Sequence, residues 1–137
     1  MRLSDRVAIV TGGAAGIGRE ISRLFAEEGA KVVIADIDEA GGAETERLIR
    51  DVGGDASFLT TDVSQEPAVK ELVSHAVSTF GPVSVLVNNA ATVTRAVPIT
   101  ELALDEWETA LSVNLTGAFL VSRAVLPRMV AGGRIVN

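Results

Sequence analysis

Apolar positions along the chain follow two alternating rhythms. Short, nearly unbroken apolar runs read as strands: Val7 to Thr11, Lys31 to Asp36 (KVVIAD), Ser57 to Thr60, and Val83 to Asn88. Between them, apolar residues recur at helical spacing. Ile17, Ile21, Leu24 and Phe25 fall at i, i+4, i+7 and i+8, and Gly29 is placed to stop that helix as a left-handed cap. A weaker helical pattern covers Glu39 to Val52, before Gly53 and Gly54. The clearest stripe is Val69, Leu72, Val73, Ala76, Val77 and Phe80, with Ser64 as the expected N-cap and Gly81 as the stop. A loop from Ala90 to about Leu104 leads to a long helix from Asp105 to about Val130. Gly132 and Gly133 are expected to end it, and Arg134 to Asn137 to open a fifth strand.

Strands that are apolar throughout, rather than alternating, belong to a parallel sheet covered on both faces. Strand–helix repeats with right-handed crossovers predict an α/β fold, a doubly wound parallel sheet, in one domain spanning 1–137. No repeat period, linker or low-complexity tract divides the chain. Ligands of such sheets bind beyond the carboxyl ends of the strands, where strand order reverses. The first and fourth strands should flank that point.

Composition narrows the partners. The chain has 137 residues and a net charge of −6. That balance argues against nucleic acid, which demands clustered Lys and Arg, and against an anionic membrane surface. With no cysteine and one histidine, His75, no metal site is expected. His75 lies off the apolar stripe of its helix and is expected to be solvated; Trp107 is expected to anchor packing. The polar start, Met1 to Arg6, does not resemble a signal peptide, and no stretch approaches the roughly 18 uncharged apolar residues of a membrane span. A soluble, cytoplasmic protein is the expectation.

Candidate chemistry sits at strand ends. Thr11-Gly12-Gly13-Ala14-Ala15-Gly16-Ile17-Gly18 joins the first strand to the first helix. Glycines let the backbone turn tightly and approach a pyrophosphate, and the helix beyond offers free N–H groups with partial positive charge. The spacing is Gly-x-x-x-Gly-x-Gly, with no Lys-Ser or Lys-Thr of a P-loop. A tight turn without ligand is the alternative; its place after the first strand favours a dinucleotide. Asp36 closes the second strand, where a carboxylate can accept from the adenosine ribose hydroxyls. A 2′-phosphate about 4 Å away would be repelled by roughly 4 kcal/mol per charge pair at an effective dielectric near 20. Ala15 supplies no compensating cation, so NAD is expected over NADP. Either Asp36 or Asp38 is also suited to capping the following helix.

Two further clusters, Thr61-Asp62-Val63 and Asn88-Asn89-Ala90, end the third and fourth strands. With TGGAAGIG, with Glu106-Trp107 ahead of Val113-Asn114-Leu115-Thr116-Gly117, and with the closing Gly132-Gly133-Arg134-Ile135-Val136-Asn137, they resemble the short-chain dehydrogenase/reductase family. The resemblance covers the whole chain and implies a Rossmann-type fold and a nicotinamide cofactor. It implies that Gly12, Gly16, Ile17 and Gly18, headed by Thr11, line the pyrophosphate, and that Asp36 holds the adenosine ribose. The Asp62 side chain would meet the adenine amino group beside the Val63 backbone, and Asn88 and Ala90 would lie against the adenosine side and the ribose. Asn114 would match the family's catalytic-tetrad asparagine. Where the family reads Asn-Asn-Ala-Gly, Ala91 takes the last place.

Family members transfer hydride between the nicotinamide and a small-molecule alcohol or carbonyl, using a serine, a tyrosine and a lysine near the tyrosine. This chain has no tyrosine, and its two lysines, Lys31 and Lys70, fall away from the expected site. The reading is therefore the cofactor-binding portion of an NAD-dependent oxidoreductase, truncated after the fifth strand and inactive alone. The alternatives are a non-catalytic dinucleotide-binding fragment or a poorly folded truncation product. Arg95, in the loop after the fourth strand, is expected to be a solvated cation, with contact to an anionic substrate as the alternative. The helix over 105–130, apolar nearly all round in its second half, suits a homo-oligomer contact. Ile135 and Val136 are expected to form an exposed edge.

Overall fold

The computed structural model describes residues 1–137. Its single sheet has five parallel strands in the order β3-β2-β1-β4-β5. The strands are β1 (Val7–Thr11), β2 (Lys31–Asp36), β3 (Asp55–Thr60), β4 (Val83–Val87) and β5 (Met129–Val136). The chain winds outward from β1 through β2 to β3, then returns to lay β4 on the other side of β1. That reversal between β1 and β4 opens a crevice at their carboxyl ends.

All five residues of β1 are buried, as are the four central residues of β2. Helices cover both faces. On one side, α1 (Gly16–Glu27) and α2 (Glu39–Asp51) enclose a cluster of Val10, Val32, Ile34 and Ile49. On the other, α3 (Glu66–Phe80) and α5 (Ala118–Val125) enclose the larger cluster around Ile9, Val33, Leu72, Leu86 and Val121. Two covered faces leave the central strands no solvent side, hence their unbroken apolar runs.

The two edge strands are finished differently. The outer rim of β3 is closed by α2: Glu46 accepts from the Phe58 amide at 2.9 Å, and Arg50 donates to the Ala56 carbonyl at 3.0 Å. These two side chains also pair with each other at 2.8 Å, standing where a neighbouring strand's backbone would. At the other edge Val136 is half exposed, while Ile135 packs against the larger cluster.

Several local expectations differ from the structure. Ile17 is exposed; the face of α1 that packs is Gly18 and Ser22 with Ile21 and Phe25, because small residues let the helix approach the glycine turn. Ser64 does not cap α3. Gln65 holds that position with Pro67 in the first turn, and the Ser64 hydroxyl turns back to Asp62 at 2.7 Å. The long helix is a composite rod: α4 (Leu104–Leu111), a wide π turn over Ser112–Gly117, α5, and a closing 3₁₀ turn over Leu126–Arg128. It ends ahead of the glycines, which lie inside β5. Val83 pairs Met129 and Val85 pairs Arg134, so residues 130–133 are looped out as an irregularity with Gly132 at φ 79°. The rod has the length and mean hydropathy to cross a membrane, although it carries Asp105, Glu106, Glu108, Arg123 and Arg128. In the fold, however, Gly117, Leu120, Val121 and Val125 bury one side of it within the domain. Trp107 is half exposed and anchors nothing in the core, and His75 is bonded through Nε2 to the Ser57 hydroxyl at 2.7 Å rather than simply solvated.

A buried hydroxyl pins the strand ends that border the crevice. Thr11 Oγ1 donates to the Val87 carbonyl at 3.3 Å and accepts from the amides of Asn89 and Ala90, each at 3.0 Å. It thereby fixes the exit of β4 against the exit of β1. Replacing Thr11→Val keeps the shape and strands both amides, at a cost of about 1–3 kcal/mol each. Urea unfolding is expected to show the loss, and an unchanged midpoint would contradict this role for the hydroxyl.

Candidate functional site

Beyond the carboxyl ends of β1 to β4 lies a cleft of about 630 Å³. The glycine turn, the ends of β2 and β3, the segment after β4 and the rod's π turn all contribute to its lining.

The turn is shaped by contacts that admit no side chain. Gly12 has φ 67°, and a Cβ there would lie 2.8 Å from both Ala90 Cα and Asn89 Nδ2. A Cβ on Gly18 would land on the Gly12 carbonyl oxygen. The first turn of α1 therefore rests directly on the loop that precedes it. Ala15, the N-cap, offers no side-chain acceptor, so the leading amides of α1 remain available beside the cleft wall that Ala15 itself lines. Gly16 and Ile17 stand exposed next to that wall, and Gly18 is buried behind it.

At the end of β2 the two aspartates divide their work. Asp38 caps α2, accepting from the Gly41 amide at 3.0 Å. Asp36 lines the cleft and is half-buried, its carboxylate accepting from Ala14 N at 2.9 Å and from Asp38 N at 3.0 Å. Each carboxylate oxygen accepts more than one hydrogen bond, so capacity for a ligand hydroxyl remains. At the end of β3, Asp62 also lines the cleft. Its Oδ1 takes the Ser64 amide at 2.9 Å and the Ser64 hydroxyl at 2.7 Å, which braces the turn. Val63 lines the cleft as well, with its side chain in the larger core cluster.

After β4 the lining residues are Asn89, Ala90, Ala91 and Thr92. Asn89, not singled out from sequence, is the central one. Its side-chain amide donates to the carbonyls of Thr11 at 3.0 Å and Gly12 at 3.1 Å, tying the glycine turn to the end of β4. Asn88 is placed otherwise than expected. Its backbone amide donates to the Val136 carbonyl at 2.8 Å, and its side chain reaches Ser122 at 3.0 Å and Asn137 at 2.8 Å, outside the cleft lining. Thr11 is likewise outside the lining, with its hydroxyl committed to the latch. The alternation of a strand carried past its last residue puts Asn88 and Asn89 on opposite sides, and only the assembled sheet decides which of the two faces the glycine turn.

Asn114 sits on the π turn, on the exposed side of the rod. Its side-chain oxygen accepts from the Thr92 amide at 2.8 Å, and its side-chain nitrogen donates to the Thr92 carbonyl at 2.8 Å. This two-point clamp holds a lining residue to the rod while Ser112 and Val113 complete that wall. Neither lysine reaches the cleft: Lys31 opens β2 at the far end of the sheet, and Lys70 pairs with Glu66 at 3.0 Å. Arg95 is tied to Glu106 at 2.6 Å rather than free, and its guanidinium holds that carboxyl below the usual range.

A family model described as short chain dehydrogenase matches residues 6–137. An uncharacterized oxidoreductase of Thermotoga maritima is 49% identical over 137 residues, covering 98% of this chain and 53% of the relative. The cis-4-hydroxycyclohexanecarboxylate dehydrogenase of Sinomonas cyclohexanicum is 41% identical over 136 residues, covering 98% and 54%. Among solved structures, a short-chain dehydrogenase/reductase from Serratia marcescens superposes with a TM-score of 0.93 at 34% identity, over 98% of this chain and 55% of that one. A blue fluorescent protein from a metagenomic library, in complex with NADPH, gives a TM-score of 0.91 at 32% identity, over 98% and 56%. The chain spans about half the length of these relatives.

The clamp at Thr92 has a direct test. Asn114→Ala is expected to speed amide exchange at Thr92 by about tenfold or more, the equivalent of one lost hydrogen bond near 1.4 kcal/mol. Exchange in the central strand β1 should stay unchanged. Equal protection of Thr92 in both proteins would show that the loop holds its place without Asn114.

Proposed function

The chain belongs to the short-chain dehydrogenase family, and on that premise we propose that its cleft seats NAD(H) for hydride transfer between the nicotinamide and a small-molecule alcohol or carbonyl. The observation that carries the cofactor reading is Asp36, a carboxylate lining the cleft beside the uncapped first turn of α1. The backbone amides of that turn suit the pyrophosphate. Asp36 suits the two ribose hydroxyls and repels a 2′-phosphate, so NADP is the weaker ligand. We assign Asp62 and the Val63 backbone to the adenine, on the strength of their place in the cleft lining, and Asn89 and Ala90 to the side next to the glycine turn. The alcohol or carbonyl class is supported by relatives described as oxidoreductases, one of them named as the dehydrogenase of a hydroxylated ring acid.

The 137 residues carry no tyrosine, and neither lysine lines the cleft. We take them to bind cofactor without turnover. Positioned acid–base catalysis contributes about 10²–10⁴-fold in rate, and the two ionisable residues of the lining, Asp36 and Asp62, are the ones we assign to the adenosine. Asn114 then acts through its clamp on Thr92, as a positioning residue for the wall.

The rod presents an exposed apolar stripe of Leu104, Trp107, Leu111, Leu115, Phe119 and Leu126. Contiguous apolar surface of this kind marks an association site, and a second copy of the chain, meeting it by two-fold symmetry, is the proposed partner.

Two outcomes test these readings. In thermal shift, NAD should raise the melting temperature more than NADP at equal concentration. Asp36→Ala should weaken NAD by about tenfold or more, as the loss of a charge-assisted hydrogen bond requires. Equal stabilisation by the two cofactors would remove the NAD assignment, and NADH oxidation by the chain with a carbonyl panel would remove the claim of binding without turnover. In light scattering the chain should be a dimer that Phe119→Glu converts to monomer; a monomeric parent would assign the stripe to another partner.

A further inference from the structure

We propose that Arg19 is a positioning residue that presets the adenosine-ribose half of the cleft by clamping Ala14 from the side opposite Asp36. The inference rests on the dinucleotide reading for its consequence, though the clamp itself is a property of the free protein.

Ala14 is buried, so both of its main-chain polar groups need partners inside the fold. Its N–H donates to Asp36 at 2.9 Å. Its carbonyl accepts from Arg19 Nη2 at 2.5 Å. Arg19 reaches further, with Nε donating to Thr45 Oγ1 at 2.9 Å and Nη2 to the Gly41 carbonyl at 3.4 Å. Thr45 is fully buried on α2, and its hydroxyl has a single proton for two carbonyls, Gly41 at 3.0 Å and Ala14 at 3.3 Å. The nearer one takes it, which leaves the guanidinium as the donor on which the Ala14 carbonyl depends.

These bonds close a ring. Asp36 accepts from Ala14 and from Asp38; Asp38 accepts from Gly41; Gly41 and Ala14 accept from Arg19. Within it, the Arg19 side chain spans from α1 to α2. Remove it, and the Ala14 carbonyl keeps only the longer contact to the Thr45 hydroxyl at 3.3 Å. Asp36 then holds a less firmly fixed distance from the first turn of α1. A carboxylate accepts ribose hydroxyls well only when held in place, and preorganisation of that kind is where binding free energy is conserved. The same rigidity keeps the carboxylate where a 2′-phosphate would have to lie.

The test uses Arg19→Gln, which retains a donor and loses the charge and the fork. In the ligand-free protein, amide exchange at Ala14 and Gly41 should rise by about tenfold, the cost of a charge-assisted hydrogen bond, while Val32 and Leu86 in the sheet stay protected. In calorimetry, 5′-AMP should bind about tenfold more weakly than to the parent, and the preference for 5′-AMP over 2′,5′-ADP should narrow. Unchanged exchange at Ala14 and Gly41 would overturn the clamp. A loss of 2′,5′-ADP greater than that of 5′-AMP would overturn the positioning role, because it would make Arg19 a direct phosphate contact. Should Arg19→Gln lose protection at Val32 and Leu86 as well, Arg19→Lys is read in its place and is expected to fall between the two. If the parent itself binds no 5′-AMP, the dinucleotide reading fails, and the exchange data still decide the clamp.

Discussion

The structure depends on how closely the first turn of α1 can approach the ends of β1 and β4. Gly12 and Gly18 meet across a distance that leaves no room for a methyl group, and Asn89 closes the contact by donating to two successive carbonyls of the turn. Thr11 locks the same junction from below with its buried hydroxyl. A helix seated this tightly presents its leading amides at the edge of the crevice instead of over the body of the sheet. Any bulkier residue at the contact would tilt α1 away and spread those amides apart.

Electrostatics of the cleft follow from that seat. The chain is acidic overall, with a net charge of −6, yet the turn offers partial positive charge from backbone rather than from side chains. Backbone dipoles are held by the fold and need no flexible cation to be ordered on binding. Asp36 and Asp62 then supply acceptors at the ends of β2 and β3 from fixed positions, each braced by neighbouring amides. The result is a site with a positive end and an acceptor end, which matches a pyrophosphate joined to a hydroxylated sugar and an amino-bearing base.

The opposite wall is made by an irregular helix. Over Ser112–Gly117 the rod widens into a π turn, a form that recurs at functional sites because it displaces side chains from regular helical positions. Here it directs Asn114 onto the Thr92 backbone and leaves Ser112 and Val113 in the cleft lining. Gly117, at its end, packs against Val63 of the turn after β3, so the rod and that turn position each other.

Much of this was legible in the residues alone. Apolar runs at period zero and stripes at helical period located all five strands and the helices between them, because two-sided burial and one-sided burial leave different patterns. The glycine turn and Asp36 fell at strand ends, which is where this architecture places its ligands. What the sequence could not separate were neighbours with equal chemistry. Asn88 and Asn89 are identical side chains, and only the direction of β4 sends one to the β5 edge and the other to the glycine turn. Gly132 and Gly133 read as a helix stop, but β4 pairs with Met129 before them, so they bulge within a strand. Arg19 carries no local signal of its partners, which α2 supplies only once it is folded back beside it. Local patterning thus determined the elements and the order of the site. Tertiary packing decided which polar groups were used up in holding it, because hydrogen-bond partners far apart in the chain meet only after the sheet is assembled.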